Sequence, residues 1–308
     1  MAGLSNVVEV AAGQRYSLAL GRDELGIGAV CASLTSVAPP CFSHVPVRVQ
    51  GLSAIVAIAA GSVHSLALGR DGTLWAWGAN DTSALGVRSA GTCGSTPCSA
   101  TPLLLSGPTG VDAFGGGDSY TVALKHDDSV WIWGLGQLVP ARLLGLSGAI
   151  AIAVGVEHYL VLLRDGTVRA WGQNTAGQLG TGTRGDSGLR LNDPPVPVAG
   201  LHGVVAIAAG DDPQTFRGHS LALTREGSLW GWGAFPGSGT RRSLVPVLVS
   251  GLQSVSAIAA GNMHSLAVTR DGVLWAWGTN DRGQLGIGTE VSDAPTPVRV
   301  PQLGSVRR

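Results

Sequence analysis

The chain has 308 residues, 44% of them hydrophobic and only 13% charged, with 20 basic residues against 20 acidic ones and a formal net charge of zero. That length and apolar content suit a large globular core. Balanced charge argues against a basic stripe, so no nucleic-acid partner is expected, and the apolar runs at residues 57–61 and 149–154 are too short to cross a membrane.

Glycine is the outlier at 47 residues, and it follows a long period rather than the three-residue period of collagen. The last glycine of an Ala-Ala-Gly-like element recurs at Gly13, Gly61, Gly117, Gly155, Gly210 and Gly261, 38 to 56 residues apart. A period of that size with strand patterning marks a propeller or a solenoid. It divides a single domain, residues 1–308, into six repeats at 7–53, 54–110, 111–148, 149–203, 204–254 and 255–305. A solenoid needs polar end caps, and the first repeat begins without one at residues 7–13, so the fold expected is an all-β propeller of about six blades.

Repeat one is damaged. Leu20 to Leu25 is 5 positions where Leu68 to Leu85 is 17, so the tryptophan strand is missing and the first blade is expected to be incomplete. Repeat two shows the full pattern: a small-residue run ending at Gly61, an apolar strand at 64–68, an Asp71-Gly72 turn, the strand Thr-Leu-Trp-Ala-Trp-Gly at 73–78, and a glycine-rich loop. Asp-Gly between apolar runs is a hairpin signal, because both residues tolerate positive φ. Repeat three is short, its loop cut to residues 134–138. Repeats four, five and six carry the same turn at Asp165-Gly166, Glu226-Gly227 and Asp271-Gly272, and repeat five has a six-residue insertion between Asp212 and Arg217. The last repeat ends in a proline-flanked strand at 296–300.

All nine tryptophans fall in the third strand of a repeat. Alternate strand residues share a face, so Trp75 and Trp77 point the same way, opposite Leu74 and Ala76. Blades bury both faces, and each tryptophan is expected to fill a gap on its neighbour. A light-sensing or ligand-stacking cage is the alternative.

The pattern Ala-Ala-Gly-x-x-His-Ser-Leu-Ala-Leu-x-x-Asp-Gly-x-Leu-Trp-Ala-Trp-Gly-x-Asn-x-x-Gly-Gln-Leu-Gly closely resembles the repeat of the regulator of chromosome condensation family. The last repeat matches nearly throughout, including Asn280 and residues 283–286; the fourth matches at Asn174 and residues 177–180. The resemblance implies a β-propeller, seven-bladed as the family norm. It leaves function open, since the family includes exchange factors for the Ran GTPase, plant light receptors and β-lactamase inhibitory proteins.

The residue three after the repeat glycine is Tyr16, His64, Tyr120, His158 and His264, with His219 displaced by the insertion. The resemblance places these turns on one propeller face, where the exchange factors meet their GTPase. One reading makes each ring a spacer that hydrogen-bonds a neighbouring turn; the other makes the face a binding surface. Arg15, Asp118, Glu157, Asp211, Asp212, Phe216 and Arg217 break the repeat symmetry, as a site for one partner must. Histidines some fifty residues apart form no metal-ligand motif, so no metal is expected. Cys31, Cys41, Cys93 and Cys98 fall in loops of the first two repeats. Their even number and spacing suggest two disulfides and an oxidising compartment; four free thiols is the alternative. No signal peptide precedes Val7, so the expected location is cytoplasmic, or extracellular if the native N-terminus is missing.

No phosphate loop, Gly-x-Ser-x-Gly elbow or His-Glu-x-x-His motif is present. The chain therefore reads as a monomeric, non-enzymatic scaffold without a cofactor that presents one propeller face to a protein partner. The alternatives are a guanine nucleotide exchange factor for a small GTPase and a secreted inhibitor or surface-binding protein.

Overall fold

The computed structural model describes residues 6–13, 16–21, 26–28, 48–89, 91–185, 193–212, 217–234, 242–288 and 291–301. Arg15, Cys31, Cys41 and Phe216 lie outside them. Among the described residues every regular element is a strand or an isolated bridge. The chain divides into two compact units, Met1–Leu144 and Gly145–Arg308, each holding three blades of a β-propeller.

In the first unit, blade one is β1 (Val7–Ala12), β2 (Ser17–Gly21) and β3 (Gly26–Gly28), paired in that order. The tripeptide β3 stands where the other blades have their tryptophan strand, and among the described residues this blade has three strands. Blade two comprises β4 (Ile55–Ala60), β5 (His64–Gly69), β6 (Leu74–Ala79), β7 (Gly91–Cys93) and β8 (Thr96–Leu104). Here β8 pairs with β6, and β7 adds a fifth strand at the edge. Blade three is β9 (Val111–Gly116), β10 (Tyr120–Lys125), β11 (Val130–Gly134) and β12 (Gln137–Arg142). Its shortened loop is the two-residue turn Leu135-Gly136, with φ of 50° and 87°, closing the Gly134–Gln137 pair; positive φ at both residues is the type I′ arrangement.

The second unit repeats the four-stranded meander three times. Blade four is β13 (Ala149–Val154), β14 (His158–Leu163), β15 (Val168–Gly172) and β16 (Val196–Pro197). Blade five is β17 (Val204–Asp212), β18 (Arg217–Thr224), β19 (Leu229–Gly233) and β20 (Ser243–Leu248); blade six is β21 (Val255–Ala260), β22 (His264–Thr269), β23 (Leu274–Thr279) and β24 (Asp293–Arg299). All neighbours pair antiparallel.

The Asp-Gly hairpins differ from the expected two-residue turn. Gly72 N–H donates to the Gly69 carbonyl and Gly69 N–H to that of Thr73. Gly72 has φ of 79°, while Asp71 is not in the left-handed region. This is a three-residue loop, a turn followed by a left-handed glycine. The aspartate side chain instead ties the loop to the strand that follows, since Asp71 Oδ1 accepts the N–H and hydroxyl of Thr73 at 3.1 and 2.6 Å. Asp165 does the same for Thr167.

Packing runs from blade to blade within each unit. Trp77 of blade two joins Leu18 and Leu20 of blade one, and Trp133 of blade three joins Leu66, Leu74 and Leu85 of blade two. In the second unit Trp232 packs on Leu160 and Leu179, and Trp277 on Leu221 and Leu229. Trp77, Trp133, Trp171, Trp232 and Trp277 are buried, whereas Trp75, Trp131, Trp230 and Trp275, nearer the hairpin, are half-buried. The tryptophans are therefore core, and the deeper member of each pair carries most of that role.

Candidate functional site

The turns between the first two strands of each blade share one backbone device. The N–H of Gly13, Gly61, Gly117, Gly155 and Gly261 donates to the carbonyl three residues on, at 2.8 to 2.9 Å. At Gly13, Gly61, Gly117 and Gly261 the side chain of that third residue then folds back over the glycine, whereas over Gly155 lies the carboxylate of Asp211. A methyl group at Gly61 or Gly117 would overlap the ring of His64 or Tyr120, so the repeat needs glycine there for the ring that follows.

These rings reach the next blade. In the first unit His64 Nε2 lies 2.9 Å from Thr121 Oγ1, which donates to the Ala84 carbonyl at 2.8 Å. Since the threonine proton is given to Ala84, His64 Nε2 is the donor in its own contact. Trp133 Nε1 donates to the same carbonyl at 2.9 Å. In the second unit His158 Nε2 lies 2.8 Å from Ser220 Oγ, and both Ser220 Oγ and Trp232 Nε1 donate to the Gln178 carbonyl at 2.8 Å. His219 repeats the histidine contact with Ser265 at 3.0 Å. Tyr16 replaces histidine in blade one and donates to the His64 carbonyl.

The receiving carbonyl is fixed by the loop after the tryptophan strand. Asn80 Oδ1 accepts the Leu85 N–H at 3.0 Å while its Nδ2 donates to the Val87 carbonyl at 2.8 Å. Asn174 and Asn280 hold Leu179 and Leu285 alike, each at 3.1 Å. The Asn-x-x-Gly-Gln-Leu-Gly pattern is thus a device that presents a carbonyl to the next blade.

Burial sets the chemistry of the rings. His64 and His219 are wholly buried, and desolvation lowers each imidazole to about 4. They are neutral at pH 7. Burial likewise pushes the Tyr16 phenol up.

Blade five departs from the others. Here the ladder runs three pairs beyond the point where the other blades turn: Gly210 with His219, Asp211 with Gly218 and Asp212 with Arg217. Asp211 is thereby carried inward. Its Oδ1 and Oδ2 lie 2.7 and 2.8 Å from His158 Nδ1, and Oδ2 accepts the Glu157 N–H at 3.0 Å. Asp211, His158 and Ser220 stand in the order of a hydrolase triad, yet Ser220 Oγ gives its proton to Gln178 and the side chains of Asp211 and His158 are 0% exposed. No substrate reaches that buried hydroxyl, and both imidazole nitrogens are already within hydrogen-bond distance of a protein partner. The arrangement is a structural clamp between blades four and five.

The expected partner-face residues therefore separate into two groups. His64, Tyr120, His158 and Asp211 are buried and offer a partner no surface; the side chains of His64, His158 and Asp211 act between blades, which is the spacer reading. Tyr16 and His264 are half-buried, as are Asp118, Glu157 and Asp212, while Arg217 is exposed. Sequence reasoning placed Asp211 outward because an insertion reads as a loop; that it extends a ladder by whole pairs is invisible without the register. Among the described cysteines, Cys93 and Cys98 form a disulfide across the β7–β8 hairpin, with Cα atoms 5.6 Å apart.

Known proteins share this architecture. The regulator of chromosome condensation (RCC1) repeat matches residues 55–82, 149–178 and 255–284 in one form, and 165–213 and 271–308 in another. The E3 ubiquitin-protein ligase HERC2 of Mus musculus is 31% identical over 183 residues, covering 53% of this chain and 3% of that protein. The ultraviolet-B receptor UVR8 of Arabidopsis thaliana is 30% identical over 212 residues, 61% of this chain and 46% of the receptor. The chain thus spans less than half the length of either relative. Among solved structures, Prp20p from Saccharomyces cerevisiae superposes with a TM-score of 0.76 at 20% identity, over 96% of this chain and 77% of Prp20p.

Proposed function

We propose, starting from a chain that carries regulator of chromosome condensation repeats, that it is a non-enzymatic module binding a protein partner at the strand ends where the repeat glycines turn. The observation that carries this reading is the β17–β18 extension. Among the described residues it is the one first-strand ladder that runs on past the repeat glycine, and the Asp211–His158 clamp ties it to blade four. Preorganised loops lose less entropy on binding. Around it lie the half-buried Glu157 and Asp212 and the exposed Arg217, joined in sequence by Phe216. Arginine and aromatic side chains are the usual interface anchors.

A second reading is an exchange factor for a small GTPase. It draws on the likeness to Prp20p, whose structure is described together with its binding to Gsp1p and histones. Such a role needs no side chain to do covalent chemistry, only tight binding of the nucleotide-free GTPase. The disulfide between Cys93 and Cys98 favours an oxidising compartment over a reducing one, and so favours an extracellular or cell-surface partner. Affinity capture from the source organism, repeated with Arg217→Ala, tests the scaffold reading: the partner is retained by the parent and lost by the variant. Nucleotide release from a captured GTPase tests the alternative.

A further inference from the structure

The opposite strand ends, which carry the Asp-Gly turns, have their own pattern. In the first strand of each blade the ladder skips the second residue, leaving Val8, Val56, Asp112, Ile150, Val205 and Ser256 out of register. Such bulges re-aim a side chain away from the sheet, and Val56, Ile150 and Val205 are 45 to 46% exposed. Ser256 is the smallest of the six, and its Oγ turns back to donate to the Val268 carbonyl at 3.1 Å. Beside it a cavity of about 500 Å³ opens between blades five and six. That volume lies within the range of small-molecule sites.

The lining is apolar below and cationic at the rim. Leu223, Val255 and Val268 line the apolar part, Val205 stands at one side, and the exposed Arg225 and Arg270 border the opening. The acids that follow the arginines are held in their own turns. Asp271 Oδ1 accepts the Thr269 hydroxyl at 2.5 Å and the Val273 N–H at 3.4 Å. The Glu226 carboxyl is lowered first by its own backbone N–H and then by the Thr224 hydroxyl.

We propose that this cavity binds a small amphipathic carboxylate, its acid group on Arg225 and Arg270 and its acyl or aryl body on Leu223, Val255 and Val268. The guanidiniums at the opening offer planar N–H donors that match a carboxylate, and the two neighbouring acids lower the local positive charge, which disfavours a phosphate dianion. The site lies at the other end of the strands from the proposed partner face and stands independently of it.

The test is calorimetric titration of the full chain with octanoate, with acetate and 1-octanol as comparators. Octanoate is expected to bind saturably at one site and at least tenfold more tightly than either comparator. Arg225→Gln with Arg270→Gln should weaken it at least tenfold. Ser256→Val places in blade six the residue that blades two and five already carry at that position, so the fold tolerates it while the added methyls narrow the cavity beside it, and octanoate binding should weaken severalfold. Absence of saturable binding overturns the proposal, as does unchanged binding by Ser256→Val or equal affinity for acetate or octanol.

Discussion

Removing the Asp211 carboxylate perturbs the second unit at its most specific point. In Asp211→Ala the His158 Nδ1–H loses an acceptor at 2.7 to 2.8 Å, and the Glu157 N–H loses one at 3.0 Å. The imidazole stays wholly buried, so water cannot replace the lost partner. Breaking a buried pair from one side costs about 3–5 kcal/mol, and that range is expected here. Asp211→Asn keeps an oxygen for one of the two donors and should cost roughly half as much. Asp212, one residue on and only half-buried, should cost clearly less on truncation than Asp211. Urea unfolding followed by tryptophan fluorescence measures all three, and a double-mutant cycle with His158→Ala isolates the pair. A loss under about 1 kcal/mol for Asp211→Ala, or no coupling in the cycle, refutes the clamp.

Trp277→Ala should destabilise by about 3–5 kcal/mol and Trp275→Ala by clearly less, because only the former is fully buried; equal costs in urea melts would contradict the packing scheme. His64 should make stability pH-dependent. Its imidazole is held at about 4 in the fold against 6.5 when unfolded, so its contribution is complete above pH 6.5 and is lost as pH falls toward 4. Two and a half pH intervals correspond to roughly 3–4 kcal/mol at most, and His64→Gln should flatten the profile across that window; an unchanged slope would contradict the assignment. Thiol titration of unreduced, denatured protein should find Cys93 and Cys98 unreactive, and alkylation of both would contradict the hairpin disulfide.

Much of the fold was legible because the repeat writes it six times. The glycine spacing marked the blades, the missing stretch between Leu20 and Leu25 foretold the damaged first blade, and small residues opposite paired tryptophans implied blade-to-blade packing. The loop asparagines were legible as a pattern but not as a mechanism, since only the folded chain shows that Asn80 and Asn174 aim a carbonyl at the next blade. The buried histidines were the ambiguous case. A repeated histidine at a turn is equally consistent with an open ring of ligands and with a ring of spacers, and only burial separates them. Asp211 was misread for a related reason: two acids in an insertion look like a polar loop tip, whereas pairing with Gly218 turns the first of them inward and leaves Asp212 and Arg217 at the surface.

Binding of a protein partner at the extended turn of blade five is best tested on the affinity of a captured partner. Surface plasmon resonance compares the parent chain with Phe216→Ala combined with Arg217→Ala. A loss of at least about 2 kcal/mol, near thirtyfold, is expected, with thermal stability unchanged. Normal binding by that variant, with binding abolished instead by changes in residues 90–101, would place the interface elsewhere and contradict the proposed function.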